Sequence, residues 1–83
     1  MKQFRIKSKE EIKKEFGYDF YGGGQYFNNC LVIPLMGEDC GKIVTVDTYH
    51  PYTDAYTLKN HHSNWHYPAC FMASANTPKG NRF

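Results

Sequence analysis

The chain has 83 residues, a net charge of +2, and is 41% apolar and 17% aromatic, which gives it material for one small core and no second domain. That balance excludes a disordered chain, and the lack of any apolar run of 18 residues excludes a membrane-spanning helix. Six of the ten Lys and Arg fall in residues 1–16 among three Glu, a thinner basic patch than a dedicated nucleic-acid binder carries.

The N-terminus, MKQFRIKSKEEIKK, is charged throughout and has no apolar signal-peptide core, so a cytoplasmic location is expected. In the segment QFRIK, Phe4 and Ile6 alternate onto one face of a short strand. SKEEIKKEFG predicts a two-turn helix over Lys9–Phe16. Ser8 and Glu11 form a capping box, Ile12 and Phe16 share a face, and Gly17 provides the exit. A helix this short is not stable alone and has to lay its apolar face on something. YDFYGGGQYF, residues 18–27, reads as a glycine-centred turn flanked by aromatics. It matches neither phosphate-binding glycine pattern.

CLVI is an apolar strand stopped by Pro34, and GEDCG is a polar turn. KIVTVDTY alternates and is β-branched, the strongest strand signal in the chain. HPYTDAY turns back into AYTLK, and the polar NHHS leads to NWHYP, read as an extended strand with Trp65 and Tyr67 on one face. ACF is expected to make one 3₁₀ step before a last strand from Phe71-Met72. The expected fold is mostly β: a small barrel or a rolled antiparallel sheet of about five strands with one short N-terminal α-helix. It occupies residues 1–73, and residues 74–83 form a loose tail.

KNHHSNWHYPACFM, residues 59–72, raises the question of chemistry. His62, His66 and Cys70 recur every fourth residue, but Pro68 interrupts the helix that spacing needs. Cys30 and Cys40 are too far apart for a zinc knuckle, and no HExxH occurs. A scattered zinc site would use Cys40, His62, His66 and Cys70. Cys30 and Cys70 adjoin apolar residues, as in NNCLVI and PACFM, which disfavours a thiolate, so neither a cysteine nucleophile nor a cofactor is expected.

NWHYPACFM resembles the closing segment of the Src-homology-3 fold, where Pro-x-x-Tyr-Val follows an aromatic-bearing strand. Pro68, Phe71 and Met72 carry the match, with Phe in place of the family's Tyr. That change removes a hydroxyl that in the signalling domains helps form a proline-peptide groove. YDFY is only an echo of their Ala-Leu-Tyr-Asp-Tyr opening. The resemblance implies a small Src-homology-3-like barrel. Over its whole length the chain is also similar to small bacteriophage proteins that combine a Gly-Lys-x-x-x-Val strand with a Trp-aromatic-Pro end. That likeness implies a viral accessory protein in the host bacterial cytoplasm and no chemistry.

The expected function is a non-catalytic module that binds a host or phage protein through an aromatic surface, inhibiting or redirecting a host defence factor. Its contacts would come from Trp65, Tyr67, Pro68, Phe71, Tyr49, Tyr52 and Tyr21. A second reading is a nucleic-acid-binding barrel using Lys2, Arg5, Lys9 and Lys13, with Lys42, Lys59, Lys79 and Arg82 as additions. The zinc domain is the third.

Overall fold

A computed structural model describes residues 2–61 and 63–75. The expected tail from residue 76 onward, with Lys79 and Arg82, lies outside the described residues, as does His62. In chain order the elements are β1 (Gln3–Ile6), α1 (Lys9–Phe16), β2 (Gln25–Phe27), β3 (Cys30–Val32) and a 3₁₀ helix (Pro34–Asp39). There follow β4 (Ile43–His50), β5 (Ala55–Leu58), β6 (Tyr67–Pro68), a 3₁₀ turn (Ala69–Phe71) and β7 (Met72–Ser74).

The helix forms where its punctuation places it. Ser8 accepts from the Glu11 N–H, the Glu11 carboxylate accepts from the Ser8 N–H, and Gly17 closes the helix at φ 73°. Ile12 is buried in the core. Five strands make one antiparallel sheet in the order β6-β5-β4-β1-β7, and β2 and β3 form a separate hairpin. Phe4 pairs with Val44 on one side and Ser74 on the other, so β1 lies between β4 and β7. A bulge between Val46 and Thr48 bends β4 as it passes β5.

The connectivity rolls this sheet. β6 and β7 are its two edges, yet only Ala69–Phe71 separates them in the chain. In a flat sheet the edges would stand about 19 Å apart, at about 4.8 Å per strand. Four Cα–Cα steps reach about 14 Å when fully extended, and a 3₁₀ turn rises only about 2 Å per residue. The sheet therefore curls until its edges approach. It is a rolled, open sheet and not a closed barrel, because β6 and β7 do not pair with each other. β6 is two residues long, and Pro68 has no N–H to offer a further ladder.

Ile6, Ile12, Val32, Met36, Leu58, Tyr67 and Phe71 fill the core, joined by Tyr18 and Phe20. Around Phe71 the rings interlock. Its centroid lies 5.0 Å from Phe27, 5.9 Å from Phe16 and 6.4 Å from Phe20. One side chain thus ties the helix, the glycine loop and the hairpin to the 3₁₀ turn.

Three local expectations are corrected. Residues 25–27 of the glycine segment are a strand, β2, because Tyr26 and Phe27 pair with Leu31 and Cys30 across the Asn28–Asn29 turn. Pro34 does more than stop β3: it opens a six-residue 3₁₀ helix that absorbs the start of GEDCG, using the fixed φ suited to a first helical position. NWHYP is strand only at Tyr67–Pro68. Side chains take up the backbone before it, the Ser63 hydroxyl accepting from the Trp65 N–H and the Cys30 thiol donating to the His66 carbonyl.

Candidate binding cleft

The residues expected to form one contact surface are spread from the core to the solvent. Tyr67 and Phe71 are each 1% exposed and Pro68 is buried as well, so none of the three can meet a partner. Rolling the sheet turns both ends of the 3₁₀ turn inward, and Tyr67 and Phe71 become core. Trp65 is half-buried and packs against the core. Tyr21, Tyr49 and Tyr52 are exposed, in different parts of the fold. Tyr49 stacks on Tyr56, which in turn meets Phe4, and donates its hydroxyl to Asp54. The Tyr52 carbonyl accepts from Asn29 at the hairpin turn.

Tyr21 stands over a cleft of about 600 Å³ between α1, the Tyr18–Gly24 loop and the first 3₁₀ helix. The floor is built from the core outward. Tyr18 and Phe20 pack edge to face at 4.7 Å, and Tyr18 anchors the loop by donating to the Gly23 carbonyl. Asp19 accepts from the Tyr21 N–H and its carbonyl accepts from Gly22, so a two-residue turn presents the Tyr21 ring outward. Tyr21 is 86% exposed, and the Lys9 ammonium sits 5.4 Å from its ring centroid. Gly37 lines the opposite wall, where a Cβ would come within 3.2 Å of Phe20 ring atoms.

The charges of the cleft are mixed. Lys9 and Lys13 line it together with Glu10, Asp19 and Glu38. Lys13 pairs with Asp19 at 3.7 Å, both well exposed. Arg5, expected in a basic surface, is instead buried and held by both Glu11 oxygens at 2.9 and 3.2 Å. Its guanidinium, opposed by burial and helped by the Ser8 N–H, lowers the Glu11 carboxyl to about 2. Lys2 lies over Phe4 at 5.4 Å from the ring centroid. The N-terminal cations are thus dispersed over separate partners.

The described zinc candidates, Cys40, His66 and Cys70, are not gathered into one site. Cys40 lines the cleft, where burial raises its thiol to about 11. His66 stacks on His50 at 4.2 Å and meets the Thr53 hydroxyl through Nδ1. Cys70 is exposed, its thiol also shifted upward by partial burial. Among the described residues no group of three or more His, Cys, Asp or Glu is placed to hold a metal ion.

Comparison with protein-family models, with curated proteins and with solved structures finds no match for this chain. No helix among the described residues is long and apolar enough to cross a membrane.

Proposed function

We propose that the protein is a binding module that takes a segment of another protein into the cleft beside Tyr21. The observation that carries this reading is the 86% exposed Tyr21 ring, presented by a turn whose backbone is held on Asp19, beside a floor of buried aromatics. A large ring on a held turn leaves few rotatable bonds to order on binding and makes a good contact anchor. The mixed charge of the cleft favours a peptide, because three carboxylates along its lining would oppose a phosphate backbone. The frame is read as Src-homology-3-like. Support comes from the Pro68–Met72 segment, whose proline, 3₁₀ turn and final strand follow one another as that resemblance implies. The likeness to bacteriophage proteins makes a bacterial host protein the first partner to try.

The test uses bacterial lysate treated with nuclease, tagged protein, and titration of the retained partner. Tyr21→Ala is expected to weaken binding about 5- to 30-fold, a hot-spot loss of ~1–2 kcal/mol, while thermal midpoint stays unchanged. Full affinity in Tyr21→Ala would overturn the assignment to the cleft. Binding that disappears with nuclease and falls steeply with salt would favour nucleic acid instead.

A further inference from the structure

NHHS reads in the sequence as a polar link between strands, but the fold gives two of its residues, His61 and Ser63, specific partners. Asp39 ends the first 3₁₀ helix and is 8% exposed. Its Oδ2 accepts from the Tyr67 hydroxyl at 2.6 Å and from His61 Nε2 at 2.9 Å. His61 Nδ1 faces Ser63, with Ser63 Oγ at 2.9 Å and the Ser63 N–H at 3.2 Å. An N–H can only donate, so Nδ1 is the acceptor and the ring proton sits on Nε2, directed at Asp39. The Ser63 hydroxyl proton then points to Nδ1, while Oγ accepts from the Trp65 N–H at 3.4 Å. The carboxylate stays ionised. Burial opposes its charge, but the Tyr67 and His61 bonds and the Lys42 ammonium at 3.7 Å outweigh that and lower its pKa.

A hydroxyl hydrogen-bonded to an imidazole, itself oriented by a buried carboxylate, meets the geometric requirement for an activated oxygen nucleophile. We propose that Ser63 is such a nucleophile, with His61 as its general base and Asp39 as the positioning residue, acting on small carboxylic esters with good leaving groups. Ser63 is half-buried, and His61 forms part of the wall of a shallow groove of about 430 Å³ that also includes Ile43, Thr45, Lys59 and Asn60. The Trp65 N–H, donating to Ser63 Oγ at 3.4 Å, helps to hold the hydroxyl in position.

In the forward step a bond forms between Ser63 Oγ and the acyl carbon. The Ser63 proton passes to His61 Nδ1, and the bond to the leaving oxygen breaks as His61 returns the proton to it. Water then attacks the acyl-serine, His61 takes its proton and gives it to Ser63 Oγ, and a carboxylic acid departs. No oxidant or metal enters the balance.

The experiment treats the whole protein with a fluorophosphonate probe and, separately, with p-nitrophenyl acetate, and locates any adduct by mass spectrometry. One adduct per chain on Ser63 is expected, accompanied by a burst of p-nitrophenolate, and both should vanish in Ser63→Ala. His61→Gln keeps an amide that can donate to Asp39 and accept from Ser63 but takes up no proton. It should slow labelling about 100-fold or more, the scale of general-base assistance. If His61→Gln does not fold, the wild-type and Ser63→Ala comparison decides alone. No adduct, an adduct on a tyrosine or lysine, or an undiminished rate in a folded His61→Gln protein would overturn the proposal. Since Tyr21 and Ser63 lie on different segments, failure here leaves the cleft reading standing, and the reverse also holds.

Discussion

Glu11 does three jobs with one carboxylate: it caps α1, orders Ser8 and neutralises a buried arginine. Replacing it with Gln keeps the shape and removes the charge that Arg5 faces, leaving a buried guanidinium underpaired. Because Glu11 is partly open to solvent, the loss is placed at ~1–2 kcal/mol at pH 7, well below the full value of its shift. The folded-state pKa is depressed, so this contribution is present above the ordinary value of 4.5 and disappears as pH falls through about 2. Urea unfolding of wild type and Glu11→Gln should therefore differ at pH 7 and converge near pH 2. An equal gap at both pH values would mean that the carboxylate charge is not the source.

At the level of elements, the first 3₁₀ helix organises the surface. Pro34 starts it, Gly37 lets it approach the Phe20 ring, and Asp39 ends it against Tyr67 and His61. A methyl group at Gly37 would sit 2.9 Å from Lys9 Cε, which can swing away, but 3.1 and 3.2 Å from the packed Phe20 ring, which cannot. Gly37→Ala is expected to cost ~1–3 kcal/mol through overpacking and to displace the floor beneath Tyr21. Thermal melts together with partner titration check this. Loss of affinity without loss of stability would show that the cleft alone shifted, and no change in either would show that the wall yields.

At the level of the molecule, three residues bring the two edges of the open sheet towards each other. The turn Ala69–Phe71 joins the two edges of the rolled sheet, and the Lys7 N–H donates to the Phe71 carbonyl, tying that turn to the chain between β1 and α1. Phe71 touches the rings of Phe16, Phe20 and Phe27, so its removal opens contacts to the helix, the glycine loop and the hairpin at once. Phe71→Ala should cost ~3–5 kcal/mol, a large share of the ~5–15 kcal/mol that a small domain has. Chemical denaturation gives the number, and a loss below ~1 kcal/mol would contradict the central place of this ring.

Much of the fold was legible because it depends on neighbours in the chain. Ser8 with Glu11 and Gly17 marks both ends of α1, and the β-branched run from Ile43 marks β4, since capping and strand preference act over a few residues. The turn at ACF and the strand after it were legible for the same reason, from Pro68. What those patterns do not contain is which residues face inward once strands far apart in sequence pair. Tyr67 and Phe71 carry the same aromatic signal as Tyr21. Only the rolling of the sheet buries the first two and leaves the third in solvent. Likewise, nothing in the spacing of Asp39, His61 and Ser63 links them. They meet because the end of a 3₁₀ helix and the segment after β5 converge over Tyr67, and hydrogen bonds across such distances depend on where the chain has folded, not on the order of its residues.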